Sequence, residues 1–156
     1  MLKYTNYSIV FQEVPNEVTL AINISGCPNK CEGCHSPFLM QDIGECLDTK
    51  FLDNLIKNYG NYITCICFMG GDKNPKEIEA LSIYIKQKTN IKTAWYSGKE
   101  SLNDKISITN FNFIKIGRYI QEFGGLKSTL TNQRFYEIIN GEMIDKTHLF
   151  WRRDSI

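Results

Sequence analysis

Three of the six cysteines fall within eight residues, Cys27-Pro28-Asn29-Lys30-Cys31-Glu32-Gly33-Cys34. No other feature constrains the chain as strongly. Six cysteines spread along a secreted scaffold would read as a disulfide framework with 15 possible pairings. Crowding of this kind suits a metal or cluster in a reducing compartment instead. Pro28, Asn29 and Gly33 favour a wound loop over a helix, so the three thiolates can meet three corners of one object. A structural zinc takes four protein ligands, usually from two knuckles. Here the fourth would have to be His35, Cys46, Cys65 or Cys67, and no second knuckle exists. A cubane iron–sulfur cluster usually takes four cysteines. Three would leave one iron without a protein ligand, and an open coordination site is where a substrate binds. A cluster, a zinc loop and a group of buried thiols all remain open at this point.

The rest of the chain narrows the partners. Length, at 156 residues, suits a single domain spanning 1–156. Eighteen basic against seventeen acidic residues give a net charge of +1. This near-balance excludes nucleic-acid binding or membrane-surface attachment through bulk charge. No apolar run approaches the roughly 20 residues that span a bilayer. The first residues carry no apolar segment before a small-residue cleavage site, so the expected location is cytoplasmic.

A strand over Glu17–Ser25 runs into the cysteine loop. Phe51, Leu52, Leu55, Ile56 and Tyr59 recur at helical spacing between Thr49 and Tyr59. Tyr62–Met69 is an almost unbroken apolar run that ends at Gly70-Gly71, as a parallel strand buried on both faces would. Pro75 opens a helix to about Thr89. Strands follow over Ile91–Ser97 and Phe111–Ile116, and His148–Trp151 reads as a final strand. Alternation of strands and helices predicts an α/β fold with a largely parallel sheet. A closed eight-unit barrel takes about 250 residues, so the expected architecture is a partial, open parallel β/α barrel. In such folds ligands gather where strands end at their carboxyl edges. The cysteine loop, Gly70-Gly71-Asp72, Ser97-Gly98 and Gly117-Arg118 all follow predicted strands and would share that rim.

These residues resemble the radical S-adenosylmethionine enzymes, whose spacing Cys27-x3-Cys31-x2-Cys34 reproduces. Within that superfamily the chain is similar to the activating proteins of anaerobic ribonucleoside-triphosphate reductases, which are glycyl-radical activases. Ser25-Gly26-Cys27-Pro28, Cys31-Glu32-Gly33-Cys34-His35-Ser36-Pro37, Phe68-Met69-Gly70-Gly71-Asp72, Tyr96-Ser97-Gly98 and Thr131-Asn132-Gln133-Arg134 carry the likeness. It runs from about Ile9 to Ile139. Asp72 stands where the family has Glu, one methylene longer. Lys115 stands where many activases have an acidic residue.

The resemblance implies a [4Fe–4S] cluster on Cys27, Cys31 and Cys34, with S-adenosyl-L-methionine on the fourth iron. Cluster potentials reach down to roughly −700 mV, low enough to reduce the sulfonium and release a 5′-deoxyadenosyl radical. Gly70 and Gly71, lacking Cβ, would bring carbonyls close to the methionine ammonium, and Asp72 would add a charge-assisted hydrogen bond to it. Ser97 and Lys115 would lie beside the methionine carboxylate, ribose or adenosine. Asn132, Gln133 and Arg134 would contact cofactor or partner, or cap a helix, and His35 would offer an aromatic edge near the cluster. The implied partners are the reductase large subunit, whose glycine is the hydrogen donor, and an electron donor such as flavodoxin or ferredoxin. Cys65 and Cys67 share one strand face and read as buried structural thiols, Trp95 reads as core, and Cys46 has no assignment. A radical enzyme acting on a small molecule and a non-catalytic zinc-binding module are the competing readings.

Overall fold

The computed structural model describes residues 1–26 and 41–151. Cys27, Cys31, Cys34 and His35 lie outside the described residues.

The described chain forms one eight-stranded sheet with two α-helices. In chain order the elements are β1 (Lys3–Val10), β2 (Thr19–Ile24), β3 (Glu45–Cys46), α1 (Thr49–Tyr59), β4 (Cys65–Met69), α2 (Pro75–Lys88), β5 (Lys92–Tyr96), β6 (Phe113–Ile116), β7 (Arg134–Ile139) and β8 (Glu142–Asp145). Their order across the sheet is β3-β1-β2-β4-β5-β6-β7-β8.

Both helices start where local chemistry allows. Asp48 accepts the Phe51 N–H at 2.9 Å and opens α1. At α2, Asn74 caps Glu77 N–H and its side-chain amide donates back to the Glu77 carboxylate at 3.1 Å, with Pro75 supplying a preset φ. Leu52 and Leu55 of α1 and Ile78, Leu81 and Ile85 of α2 pack against Leu20, Ile22, Ile24, Ile66, Phe68, Trp95 and Ile114. Both helices therefore cover one face of the sheet. Strand alternation sends Cys65, Cys67, Ala94 and Phe113 to the other face, where Phe135 of β7 joins them and Val14, Leu126 and Phe150 cover them without any α-helix.

The expected β/α barrel does not form. Only β2, β4, β5 and β6 run parallel; β1 is antiparallel to β2, and β7 to β6. A barrel needs a crossover after every strand to bring the chain back to the amino edge. After β6 no such return occurs. The chain stays at the carboxyl edge in a series of turns (Phe123 N–H to Ile120 O at 3.0 Å, Ser128 N–H to Gly125 O at 2.9 Å), then re-enters the sheet in reverse. The flanks are thus antiparallel and the sheet is open and mixed. The predicted strand at His148–Trp151 is a 3₁₀ turn over Thr147–Trp151. Thr147 Oγ1 accepts the Phe135 N–H at 2.9 Å, and Leu149 N–H turns back to Lys146 O at 3.0 Å. Those contacts curl the segment under β7 instead of extending it.

The crossover from β5 to β6 has no α-helix. It is held from below by Glu79 of α2, which is 7% exposed and accepts the Ser107 N–H at 2.8 Å and the Asn110 amide at 2.9 Å. Burial on its own would raise the Glu79 carboxyl, but these donors and the Lys76 ammonium at 3.2 Å outweigh it and hold the group below its ordinary value of 4.5. A depressed folded-state value stabilises the fold above pH 4.5 and loses that contribution as pH falls through it. Glu79→Gln is expected to cost about 1–3 kcal/mol in urea unfolding near neutral pH. The difference from wild type should shrink at about pH 3. An equal difference at both pH values would show that the carboxylate charge contributes nothing.

Candidate functional site

The carboxyl ends of the four parallel strands meet at one edge, and the connections between them are tied to one another. At the end of β2, the Gly26 N–H donates to Gln41 O at 2.9 Å, so residues 26 and 41 meet at one point. The Ser25 N–H bonds Lys3 O at 3.0 Å, and the Ser25 hydroxyl donates to Ile43 O. Lys3 pairs with Asp42 at 3.3 Å. The cysteine segment therefore leaves and rejoins the described chain at the carboxyl edge of β2. A Cβ on Gly26 would lie 3.7 Å from Lys73 Cδ, which puts that point beside the connection after β4.

After β4, Gly70 and Gly71 take φ values of +117° and +93°. Only glycine adopts that region readily. Packing imposes the same choice at Gly71, where a Cβ would come within 2.5 Å of Ile78 Cδ1. The Gly70 carbonyl accepts the Trp95 indole N–H at 2.8 Å, and the Gly71 carbonyl accepts the Asn74 N–H at 3.0 Å. A carbonyl oxygen has two lone pairs, so each keeps acceptor capacity.

Asp72, 9% exposed, reaches across to the end of β5. Its Oδ1 accepts the Ser97 hydroxyl at 2.6 Å and its Oδ2 accepts the Gly98 N–H at 2.8 Å. The Ser97 oxygen in turn accepts the Lys99 N–H at 3.1 Å. From β6, Lys115 sends its ammonium to Ser97 O at 3.1 Å and Gly117 O at 2.8 Å, and it too is 9% exposed. Burying an ammonium is costly unless hydrogen bonds compensate, and these two carbonyls supply part of that compensation. Gly70, Gly71, Asp72, Ser97 and Lys115 thus form one connected rim over three strand ends. Beside it opens a cleft of about 660 Å³ lined by Asp72, Trp95, Ser97, Lys99, Leu102 and Asp104.

The Thr131–Arg134 element divides. Gln133 donates to Gly117 O at 3.4 Å and Asn132 to Arg118 O at 3.1 Å, so both brace the connection after β6. Arg134 begins β7 opposite Ile116, at the carboxyl end of β6, and its guanidinium faces Asp145 at 3.7 Å. None of the three caps an α-helix. Trp95 has a role beyond core packing, because its indole fixes the Gly70 carbonyl. The signal for that role was the polar N–H that a buried tryptophan must satisfy.

Among the described residues no group of three His, Cys, Asp or Glu side chains could hold a metal. Burial pushes the Cys65 thiol up to about 12 and raises Cys67 well above its usual range. Burial thus keeps both thiols protonated in the metal-free chain, as suits structural core residues. Local desolvation, then the Asp48 carboxylate 3.5 Å away, raises the exposed Cys46 thiol. Cys27, Cys31 and Cys34, the ligands that the resemblance implies, are soft donors of the kind iron–sulfur centres use. No helix among the described residues is long and apolar enough to cross a membrane.

No curated protein and no solved structure matches the chain. Residues 17–122, which enclose the three cysteines and the whole rim, match the 4Fe-4S single cluster domain, a family associated with radical S-adenosylmethionine enzymes. With more than half its length in that match, the chain belongs to the 4Fe-4S single cluster domain family of iron–sulfur proteins.

Proposed function

We propose that the chain is a radical S-adenosylmethionine activase that generates a glycyl radical on an anaerobic ribonucleoside-triphosphate reductase. One observation carries this reading: the cysteine segment begins and ends at the same edge that gathers Gly70, Gly71, Asp72, Ser97 and Lys115. Cys27, Cys31 and Cys34 would hold a [4Fe–4S] cluster, leaving one iron for the amino-acid end of S-adenosyl-L-methionine. When bound, cluster and cofactor together supply the reductive cleavage that starts hydrogen abstraction.

The chain's own residues bind and orient. Gly70 and Gly71 present carbonyl acceptors suited to an ammonium, at backbone angles that no larger residue adopts cheaply. Lys115 brings a positive charge of the sign that a carboxylate needs, in surroundings that strengthen the attraction by excluding water. Asp72 and Ser97 lie between these groups. Val14, Leu126 and Phe150 pack over the second face of the sheet, so a substrate would approach along the carboxyl edge. A polypeptide glycine suits that approach, since it has no side chain to obstruct it. Flavodoxin or ferredoxin would deliver the electron.

The test is anaerobic reconstitution with iron and sulfide, then dithionite and S-adenosyl-L-methionine, with chromatography for 5′-deoxyadenosine. Accumulation of 5′-deoxyadenosine is expected. A fully loaded cluster that yields no 5′-deoxyadenosine, with or without the reductase, would sink the proposal.

A further inference from the structure

The motif containing Asp72 suggests a direct contact with the cofactor's ammonium, but the side chain also reaches across to the connection after the next strand. Its two oxygens accept the Ser97 hydroxyl at 2.6 Å and the Gly98 N–H at 2.8 Å. Both donors belong to the connection after β5, whereas Asp72 follows β4. Ser97 is also the residue whose carbonyl receives Lys115 from β6, at 3.1 Å. Its hydroxyl oxygen takes the Lys99 N–H at 3.1 Å. A hydroxyl has one proton to donate, and Ser97 donates it to Asp72. In this arrangement it cannot also donate to a ligand carboxylate.

We infer that Asp72 is a positioning residue: its carboxylate fixes the Ser97–Gly98 turn, and through Ser97 the seat of Lys115, so that three strand ends keep one spacing. The ligand would be an amino-acid-bearing cofactor whose carboxylate meets Lys115 and whose ammonium meets the Gly70 and Gly71 carbonyls. This rests on the reading of the edge as a cofactor site. Reach supports the shorter side chain. The Asp72 bonds are at ordinary charge-assisted lengths, and one more methylene would have to fold back to make them.

Asparagine and alanine at position 72 separate the two roles. Asparagine can still accept the Gly98 N–H through its oxygen and donate to Ser97 Oγ, keeping the geometry while losing the charge. Alanine keeps neither. In the reconstituted protein without S-adenosyl-L-methionine, hydrogen exchange is read at the Gly98 and Lys99 amides. Asp72→Ala is expected to speed it by about ten- to a hundredfold. Asp72→Asn should retain most of the protection, and amides of β2 and β4 should be unchanged in both. Wild-type protection at Gly98 in Asp72→Ala overturns the inference.

Binding gives the second readout. Asp72→Ala should weaken S-adenosyl-L-methionine and its analogue lacking the α-amino group by the same factor, about tenfold, with iron and sulfide content unchanged. A penalty confined to the amino-bearing ligand means that Asp72 holds the ammonium, and the inference fails. If the wild-type protein binds neither ligand, the cofactor reading itself fails, and the exchange measurement still decides whether Asp72 holds the turn.

Discussion

Cys31→Ala is expected to leave the reconstituted protein with background iron and sulfide and without the broad visible absorbance of a cluster. Cleavage of S-adenosyl-L-methionine should disappear with them. The same holds for Cys27→Ala and Cys34→Ala, because a cubane anchored by three thiolates has no spare ligand. The contrast that gives the experiment its force is Cys65→Ala. Cys65 is completely buried on the helix-free face of β4, with its thiol pushed up to about 12. Its replacement should keep the cluster and cost only packing, about 1–2 kcal/mol. Loss of iron in Cys65→Ala, with the protein folded, would reassign the ligands and return zinc to consideration.

Gly71→Ala is expected to destabilise the chain by about 2–4 kcal/mol, the sum of a left-handed backbone penalty and an overpacked core. At φ +93° an L side chain is strained whatever the space available. The space is also absent, since the new methyl would meet Ile78 Cδ1 at 2.5 Å and Cγ1 at 2.6 Å, and Ile78 is fully buried. Urea unfolding should show an earlier midpoint with an unchanged slope. Wild-type stability would mean that the turn after β4 takes another path. Because Gly71 closes the core and opens the site, any loss of cofactor binding in this variant must be read against its stability.

Much of this arrangement is legible in the sequence, and the gaps have physical causes. Both α-helices start as expected because Asp48 and the Asn74-Pro75 pair mark their first turns. β4, β5 and β6 follow from runs of apolar and β-branched residues, since strands buried on both faces need them. β1 is less visible. Its middle residues Asn6, Tyr7 and Ser8 are exposed, and it carries a register shift between Tyr4 and Asn6. The β7–β8 hairpin carries its signal in Asn140-Gly141, both at positive φ, the pair that tight hairpin turns favour. A partial, open parallel β/α barrel is the wrong extrapolation from three parallel pairings, because both flanks of the sheet are antiparallel. Residues 117–133 contain turn formers where a crossover helix would be needed.

Gathering of the rim at one edge follows from parallel strands and glycine-rich stops alone. The bonds within it do not. Asp72 reaching Ser97, and Lys115 reaching the Ser97 and Gly117 carbonyls, depend on side-chain direction across neighbouring strands, which spacing in one dimension does not encode.

The order of strands across the sheet also bears on how the chain acquires its shape. Apart from β3, every strand lies beside its predecessor or successor in the chain, but only the β1–β2 and β7–β8 pairs close short loops. β3 is the exception. It joins the outer edge of β1 through Lys3 and Tyr4. It also lies just after residue 41, where the cysteine segment rejoins the described chain. Lys3↔Cys46 and Thr19↔Cys65 close loops of similar length, so docking of that return leg is expected to accompany the central pairing of β2 with β4, and iron would then be loaded onto a scaffold whose two anchoring ends are already in place.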